Sequence, residues 1–277
     1  NVQPYAGTNK IIKKSPVIHL GPGVHEINEL ILDEPHMLLE GVGRGITIVK
    51  IKKGIIANAP NPIIKNLTIV GENTGIGLRL SDVWGATVEN VAIENFSEGI
   101  RLELSKNGRY FAGGETRNGW PSVIEKGKHY WGSRVTRTDI RNVHIIGEGD
   151  GIVLKNHLKD SRTGNYWQPT QDNLHGEFFS ATTVWGGHIA AKGRSVVVGD
   201  GVWSTKIIGT YMDISPAGGI DMEYGAFKLT LIGVSLELNT EARKRKAYKI
   251  SASRKGAKSI EIVASGISKK DIFVRKK

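Results

Sequence analysis

The amino-acid sequence predicts an all-β chain wound into one parallel β-helix, a solenoid with about 24 residues in each coil. Three observations predict this fold class. Short apolar segments recur at a fixed spacing, apolar and polar residues alternate within them, and no stretch keeps the apolar period of a helix beyond a turn or two.

The repeat is clearest at its asparagines. The segment Asn66–Ile69 recurs 24 positions later as Asn90–Ile93, and again as Asn142–Ile145. We expect these asparagines to occupy the same turn of different coils and to hydrogen-bond along the solenoid axis. Further segments repeat as well: Gly75–Leu80 with Gly99–Leu104 and Gly151–Lys155, and Lys206–Thr210 with Thr230–Val234.

Each copy contains two or three short strands rich in Ile and Val, separated by Gly or Asn and without a connecting helix. A β-sandwich needs hairpin turns and has no fixed strand spacing, and the consensus of leucine-rich repeats is missing. Coils of a parallel solenoid, stacked about 4.8 Å apart, therefore account best for the pattern.

Composition limits the chemistry. The chain has 277 residues, a net charge of +11 and no Cys, which excludes disulfides, thiolate metal sites and a cysteine nucleophile. No Gly-x-Ser-x-Gly segment and no His-x-x-x-His pair occurs, so serine-hydrolase and zinc chemistry are disfavoured. No apolar run is long enough to span a membrane, and because the sequence begins at Asn1 we expect a processed, exported chain.

The positive charge is concentrated at one end. Residues 240–277 contain 13 Lys and Arg against three acidic residues, so the rest of the chain is nearly neutral. This segment is interpreted either as a solvated terminal cap that prevents strand pairing with other chains or as an anchor for an anionic partner. A nucleic-acid binder is the weakest of the functions considered, because it depends on this segment alone.

The first coil carries a family resemblance. The segment Val17–Ile27, with Gly21-Pro22-Gly23 at its centre, is followed by Leu38–Val49, which reads Leu-Leu-Glu-Gly-Val-Gly-Arg-Gly-Ile-Thr-Ile-Val. Together they resemble the first turn of the pectate-lyase-like superfamily, which includes polysaccharide lyases, polygalacturonase-like hydrolases and phage tail-spike proteins. The resemblance implies a single-stranded right-handed parallel β-helix that acts on or binds a polysaccharide outside the cell or on a virion, and it allows a homotrimer.

The resemblance leaves the activity open. The paired-aspartate and Gly-His-Gly motifs of polygalacturonase-like hydrolases are absent, as is the Trp-Ile-Asp-His segment of pectate lyases. Lyase, glycoside hydrolase and a non-catalytic glycan-binding or structural fibre module therefore all remain as alternatives.

We interpret residues 1–277 as one domain in which two coils carry long insertions, at about 105–133 and 157–174. Both insertions follow corresponding strands, so they should rise side by side and wall a groove. They are rich in aromatic residues, whose ring faces suit the apolar faces of sugars. The candidate substrate-binding residues are Trp120, Trp131, Trp167, Tyr110, Tyr130 and Tyr166, with Phe111 beside them.

Strand alternation supplies the candidate catalytic residues. Where Ile100, Leu102 and Leu104 face the core, Arg101 and Glu103 face solvent. The same alternation turns Lys155, Asp221 and Glu223 outward, while Asp150 borders this row and His188 is ambiguous by one residue.

Two reactions suit this set. A hydrolase would use two of the carboxylates Glu103, Asp150, Asp221 and Glu223 as acid and base. A lyase would neutralise a uronic-acid carboxylate with Lys155 and Arg101 and take a proton donor from His188 or a tyrosine of the insertions. Asp and Glu could alternatively hold Ca²⁺ for this purpose, although no metal ligand is assigned.

Overall fold

A computed structural model describes residues 16–104, 122–125, 128–131, 135–156 and 179–275, the short ranges 122–125 and 128–131 as backbone only. It confirms the all-β parallel β-helix, since every pair of strands in its two large sheets is parallel. Among the described residues, no helix is long and apolar enough to cross a membrane.

One face of the solenoid is a nine-stranded sheet, named face A. Its strands are β3 (Leu30–Leu32), β6 (Ile55–Ala57), β8 (Ile76–Ser81), β10 (Glu98–Leu104), β15 (Asp150–Asn156), β18 (Val196–Val198), β21 (Ile220–Met222), β24 (Ile250–Ser253) and β26 (Ile272–Arg275).

A fifteen-stranded sheet forms the rest of the wall and bends once in each coil. Before the bend lies face B, with β1 (Val17–His19), β4 (Leu38–Glu40), β13 (Val135–Arg141), β16 (Phe179–Trp185), β19 (Trp203–Ile208), β22 (Phe227–Ile232) and β25 (Ile260–Val263). After it lies face C, with β2 (Gly23–Ile27), β5 (Thr47–Ile51), β14 (His144–Gly147), β17 (His188–Ala191), β20 (Tyr211–Ile214) and β23 (Ser235–Leu238). Two long strands continue through the bend, β7 (Ile63–Val70) and β9 (Thr87–Glu94).

Few elements lie outside these sheets. An antiparallel hairpin pairs β11 (Ser122–Glu125) with β12 (Lys128–Trp131). Two short helices, α1 (Thr240–Lys244) and α2 (Arg254–Lys258), and a 3-10 turn at Lys269–Asp271 occur in the basic C-terminal segment.

The core consists of aliphatic side chains stacked along the solenoid axis. In-register pairing aligns one buried residue from each coil, and no residue in the two stacks given below is more than 2% exposed. Each buried Leu or Ile contributes about 1.5–3 kcal/mol. The stack behind face A is Leu30, Ile55, Leu78, Ile100, Ile152, Val196, Ile220 and Ile250. The stack behind face B is Ile18, Leu39, Ile64, Val88, Ile140, Val184, Ile207 and Leu231.

The bend between faces B and C requires a left-handed backbone. Asn66, Asn90 and Asn142 have φ values of 59°, 53° and 49°, and glycines with positive φ stand at the later bends. Asn90 Nδ2 donates to Asn66 Oδ1 at 3.0 Å, and Asn142 Nδ2 donates to Asn90 Oδ1 at 3.3 Å. The predicted asparagine ladder is therefore present, and Asn suits this conformation better than most residues.

The 24-residue displacement holds on face B but is wrong in one part of face A. Lys206 pairs with Thr230, as expected. Leu78, however, pairs with Ile100 and not with Leu102, so this displacement is 22 residues. A shift by two residues leaves every side chain on the face predicted for it, because strand side chains alternate with a period of two.

We expect Asn90→Ala to lower the free energy of unfolding by about 1–3 kcal/mol, because it removes both amide hydrogen bonds and places a Cβ-bearing residue without a polar side chain at positive φ. Asn90→Gly also loses the hydrogen bonds but tolerates positive φ, so it should retain about 1 kcal/mol more stability than the alanine variant. Urea unfolding of the three proteins measures both differences. Equal stability of wild type and Asn90→Ala would contradict a stabilising role for the ladder.

Candidate functional site

Six of the seven candidate catalytic residues lie on the outer side of face A or at its edge. In-register pairs place Asp150 beside Glu98, Lys155 beside Glu103, and Arg101 beside Arg79. Asp221 lies in β21, and Glu223 follows directly after the end of that strand. The row of charged residues predicted from strand alternation is therefore present on face A. Its side chains do not all line one common cavity.

His188 lies elsewhere. It begins β17, which belongs to face C and pairs with β14 and β20. Its Nε2 is 2.9 Å from Asp213 Oδ2, and its ring centroid is 5.1 Å from that of Tyr211. His188 therefore cannot act as a proton donor in the same site as the carboxylates of face A, which is a correction to its inclusion in the candidate set.

Two arginines form ion pairs with the carboxylate of Glu103. Arg79 Nε lies 3.2 Å from Glu103 Oε1, and Arg101 Nη1 lies 3.7 Å from Glu103 Oε2. Arg101 also donates to Glu98 through Nε and Nη2. The side chain of Glu103 is only 9% exposed. Glu103 thus forms ion pairs with two guanidinium groups and is poorly placed to act as an acid or base on a ligand.

A second cluster neutralises the other two carboxylates of the face. Arg194 Nη2 donates to Asp150 Oδ2 at 2.7 Å, and its Nη1 donates to Asp221 Oδ2 at 3.1 Å. Arg275 Nη1 lies 3.0 Å from the other oxygen of Asp221. The hydrogen bond to Asp150 is the largest cause of the raised pKa of Arg194. The chain of ion pairs Asp150–Arg194–Asp221–Arg275 joins residues from four coils.

Burial raises the pKa of Tyr248, which lies against this cluster. Its ring stacks on Phe273 with centroids 6.4 Å apart. The nearby Asp221 and Asp150 carboxylates raise the pKa further, while Arg194 and Arg275 lower it. Tyr248 therefore stays protonated at neutral pH.

A cleft of about 1170 Å³ opens where face A turns into face B. We name it the corner cleft. It is lined by Asp200, Glu223, Tyr224, Ser253, Arg254, Lys255, Lys258, Val274 and Arg275. Four of these side chains are cationic and two are carboxylates, so the cleft has a net positive charge. Of the seven candidate catalytic residues, only Glu223 lines it.

Two neighbouring turns fix the carboxylates of the cleft. The backbone N–H of Asp200 donates to Glu223 Oε2 at 3.1 Å. The backbone N–H of Gly225 donates in turn to Asp200 Oδ1. Each carboxylate therefore accepts one hydrogen bond from the backbone of the other's turn. This exchange fixes the orientation of two carboxylates that line the cleft.

The backbone of Lys155 lies near the carboxylate of Glu223, with Gly199 between them. A Cβ at Gly199 would lie 3.5 Å from Lys155 Cα and 3.4 Å from Glu223 Oε2. It would also lie 2.5 Å from the carbonyl oxygen of Leu154, so the packing of coils already requires glycine here. Lys155 is exposed and has no ion-pair partner among the described residues. Lys155 is therefore an exposed cation whose backbone lies near the Glu223 carboxylate.

Most of the candidate aromatic residues lie outside the described part of the chain. This is so for Trp120, Trp167, Tyr110, Tyr166 and Phe111. Tyr130 and Trp131 lie in β12, where their backbones pair with Val123 and Ser122 of β11. Their role in sugar binding stays a prediction.

The corner carries other aromatic residues that the sequence analysis did not select. Trp84 is 40% exposed and Tyr224 is 56% exposed. Trp203 packs on Phe227 with ring centroids 5.3 Å apart. A sequence pattern could have identified these aromatic residues. After a strand of face A, an acidic residue is followed within a few positions by an aromatic one, as in Asp200-Gly-Val-Trp. The next strands of the wall after β10 and β15 of face A are β13 and β16 of face B, so the two predicted insertions fall in connections at this corner.

No protein-family model matches the chain, and no curated protein matches it either. Among solved structures, the A-module of the Azotobacter vinelandii mannuronan C-5 epimerase AlgE6 is 12% identical, with a TM-score of 0.35, over 94% of this chain and 89% of that one. The A-module of AlgE4 from the same organism is 10% identical, with a TM-score of 0.24, over 94% and 91% of the two chains. Likenesses of this degree do not bear on the activity, which has to be inferred from the residues of this chain.

The described residues contain no group of three or more His, Asp or Glu side chains placed to hold a metal ion. The acidic residues of face A are paired with arginines instead. A Ca²⁺ site therefore has no candidate ligand set in this part of the chain.

Replacing Arg194 with Gln should lower the free energy of unfolding by about 1–3 kcal/mol, because it leaves Asp150 and Asp221 close together without their shared cation. The loss is smaller than for a fully buried pair, since the arginine is 32% exposed. Lys192→Gln is the matched control from the same coil, because its ion pair with Glu148 is exposed and should contribute less than about 1 kcal/mol. Equal effects of the two substitutions in urea unfolding would show that the cluster does not stabilise the fold.

The hydrogen bond from Tyr211 Oη to Glu237 Oε2, at 2.9 Å, is the main cause that raises the pKa of Tyr211 to about 12. An unfolded tyrosine ionises near pH 10, so the stability that this bond contributes should be lost as the pH rises from about 10 to 12. A difference titration of tyrosinate absorbance between wild type and Tyr211→Phe isolates this group. Glu237→Gln should lower the pKa, and an unchanged titration curve in that variant would contradict the assignment.

Proposed function

We propose that the protein binds an acidic polysaccharide in the corner cleft and cleaves it, with a uronic-acid polymer as the favoured substrate. The observation that carries this proposal is the composition of the cleft, which four cationic side chains line together with the carboxylates of Asp200 and Glu223. A cleft with this excess of positive charge favours an anionic ligand over a neutral one.

Helix α2 supplies most of the cations. Ser253 caps the helix by accepting a hydrogen bond from the N–H of Gly256 at 3.1 Å. Lys255 and Lys258 are three residues apart and thus lie on the same side of the helix. With Arg254 they can pair with the carboxylate or sulfate groups that recur along an acidic glycan. The exposed ring of Tyr224 offers a surface for a sugar ring beside them.

The cleft can support β-elimination. Lys155 and Lys258 would neutralise the carboxylate of a uronic acid, which makes the proton on the neighbouring carbon easier to remove. Glu223 would remove that proton. The electron pair of the broken C–H bond would form a carbon–carbon double bond, and the bond to the glycosidic oxygen would break. The hydroxyl of Tyr224 would donate a proton to the departing oxygen. Arg101 and His188 have no part in this scheme, because Arg101 is ion-paired and His188 lies on face C.

Hydrolysis is the alternative reaction in the same cleft. It would use the two carboxylates Asp200 and Glu223, one protonated as the acid and the other ionised as the base or nucleophile. The structure shows one backbone hydrogen bond to one oxygen of each carboxylate, so the other oxygen of each can face a ligand. Asp200 replaces Glu103, Asp150 and Asp221 as the second carboxylate.

Binding without cleavage is favoured by a different observation. Glu103, Asp150 and Asp221 are all neutralised by arginines, so most of the acidic row stabilises the solenoid. A glycan-binding or fibre module of an extracellular or virion-borne protein would need no more than the cations and aromatic rings of the corner. The location outside the cell is part of the proposal, since it follows from the substrate class.

The decisive experiment is incubation of the full chain with polygalacturonate, polymannuronate, hyaluronan and heparan sulfate, with amylose as the neutral control. New reducing ends together with ultraviolet absorbance of an unsaturated product support the lyase, and new ends without that absorbance support the hydrolase. Binding of the acidic polymers without turnover supports the adhesion alternative. Absence of both binding and turnover with every acidic polymer would overturn the proposal.

Matched variants locate the activity. Glu223→Gln keeps the acceptor for the Asp200 N–H and should abolish turnover while binding persists. Lys258→Gln should weaken binding of acidic polymers about tenfold, the loss of one charge-assisted contact. Lys244→Gln removes an equal charge from α1, where Lys244 pairs with Glu241 and does not line the cleft, and it should bind as wild type does. Equal weakening by both lysine variants would indicate attraction by the overall charge only.

A further inference from the structure

The outer side of face A carries two aromatic rings at its C-terminal end that the proposed function does not use. Tyr248 stands two residues before β24, and Phe273 is the second residue of β26. Their rings stack with an interplanar angle of 18° and centroids 6.4 Å apart. Phe273 is 57% exposed and Tyr248 is partly exposed, so the pair presents an apolar surface to solvent.

The neighbouring backbone defines where both rings lie. A Cβ at Gly218 would be 2.4 Å from Tyr248 Cζ, so the tyrosine ring lies directly against the backbone of that glycine. Phe273 pairs in register with Ser251, which pairs with the outward-facing Asp221. Phe273 therefore points out from face A and not into the core. A ligand would meet a preformed surface, which lowers the entropic cost of binding.

The ring pair adjoins the corner cleft. Strand β26 ends with Val274 and Arg275, and both residues line the cleft. Phe273 and Arg275 are two positions apart in this strand, so their side chains leave the same side of face A with Cα atoms about 6.6 Å apart. Phe273 is therefore the next outward side chain that a polymer leaving the cleft along this strand would meet.

A second group of cations lies on the other side of the rings. It belongs to the connections 240–249 and 264–271, which lead into β24 and β26 and which we name the far corner. The far corner contains seven Lys and Arg against two carboxylates. Both carboxylates, Glu241 and Asp271, already form ion pairs with lysines of the same group, at 2.7 and 3.3 Å. The far corner therefore has an excess of positive charge, as the corner cleft does.

Only a short strand separates the two groups of cations. From the last residue of the far corner to the first residue of α2 the chain advances five positions through β24, about 17 Å at the rise of an extended strand. Phe273 lies beside this span in the next strand, and Tyr248 lies at its start. The sequence of surfaces is thus cationic, aromatic and cationic. An acidic glycan matches it, because its sugar rings have apolar faces and its acid groups recur along the chain.

We propose that an acidic polysaccharide held in the corner cleft crosses face A along β24 and β26, stacks a sugar ring on Tyr248 and Phe273, and continues to the cations of the far corner. The identity of the polymer rests on the proposed function. The new element is its course, which runs across the solenoid axis and gives the cleft a second subsite on the ring pair.

Single-stranded nucleic acid is the other polymer that combines anionic groups with rings able to stack on aromatic side chains. The cleft favours the glycan, because the carboxylates of Asp200 and Glu223 can accept hydrogen bonds from sugar hydroxyls. The ionised phosphates of a nucleic acid offer no such donors and are repelled by both carboxylates.

The test is calorimetric titration of the full chain carrying Glu223→Gln, which prevents cleavage, with a trimer and an octamer of a uronic acid. The trimer probes the cleft, and the octamer can also reach the rings. Adding Phe273→Ala should weaken octamer binding about fivefold, the loss of one stacking contact, and leave trimer binding unchanged. Phe273→Tyr keeps the ring and should bind both oligomers as the parent protein does. Unchanged trimer binding also shows that the alanine variant is folded.

Matched variants separate the subsite from unspecific effects. Trp185→Ala removes a ring that is 44% exposed on face B, and it should leave the affinity for both oligomers unchanged. Lys270→Gln in the far corner should weaken the octamer alone, about threefold, whereas Lys206→Gln in β19 of face B should weaken neither oligomer.

The outcomes distinguish this inference from the proposed function. Trimer binding together with equal octamer affinity in the parent protein and Phe273→Ala would overturn the ring subsite and leave the proposed function standing. Octamer binding that depends on Phe273 without any trimer binding would refute the cleft as the primary site and support the rings. Oligothymidylate that binds more tightly than the octamer, with the same dependence on Phe273, would overturn the glycan assignment.

Discussion

The side-chain amides of Asn66, Asn90 and Asn142 fix the register on which the rest of the solenoid depends. They stand at bends that need a left-handed backbone, and each amide bonds to the one in the neighbouring coil. Once that bend is in register, the strands before and after it must pair in register too. The aliphatic stacks of the core and the polar rows of the surface both follow from this alignment. Glycine takes over the same conformation at the later bends, where Gly209 and Gly233 have φ values of 60° and 59°.

In-register stacking also determines what the charged residues can do. Outward side chains of successive coils lie about 4.8 Å apart, so like charges repel and opposite charges pair. Asp150 meets Arg194 in this way, and Asp221 lies between Arg194 and Arg275. Carboxylates within a row are thus used for stability, and a carboxylate available to a ligand has to stand at the end of a strand. Glu223 satisfies this condition, because it follows β21 and enters the turn that lines the corner cleft.

The sequence predicts the fold well and the site only in part, for physical reasons. The repeat reveals the fold because every coil must bury equivalent apolar residues, and alternation places Arg101, Glu103 and Asp221 on the correct face. Strand alternation cannot identify ion-pair partners, however. Arg194 and Arg275, which pair with Asp221, lie in other coils and far from it in sequence. His188 was uncertain because a shift of one residue reverses every side chain. The aromatic residues of segments 105–121 and 157–178 stay predictions, as they lie outside the described residues.

Connections of variable length lie outside the bend that carries the asparagine ladder. Between β7 and β23 the bend from face B to face C has at most two residues between strands, and extra residues there would separate the stacked amides and glycines. The corner from face A to face B has its own in-register column of left-handed residues, including Gly85, Arg137 and Ala181. The connections that precede this column differ in length between coils, and the corner cleft lies beside them. The corner cleft therefore lies where the coil can lengthen without losing its register.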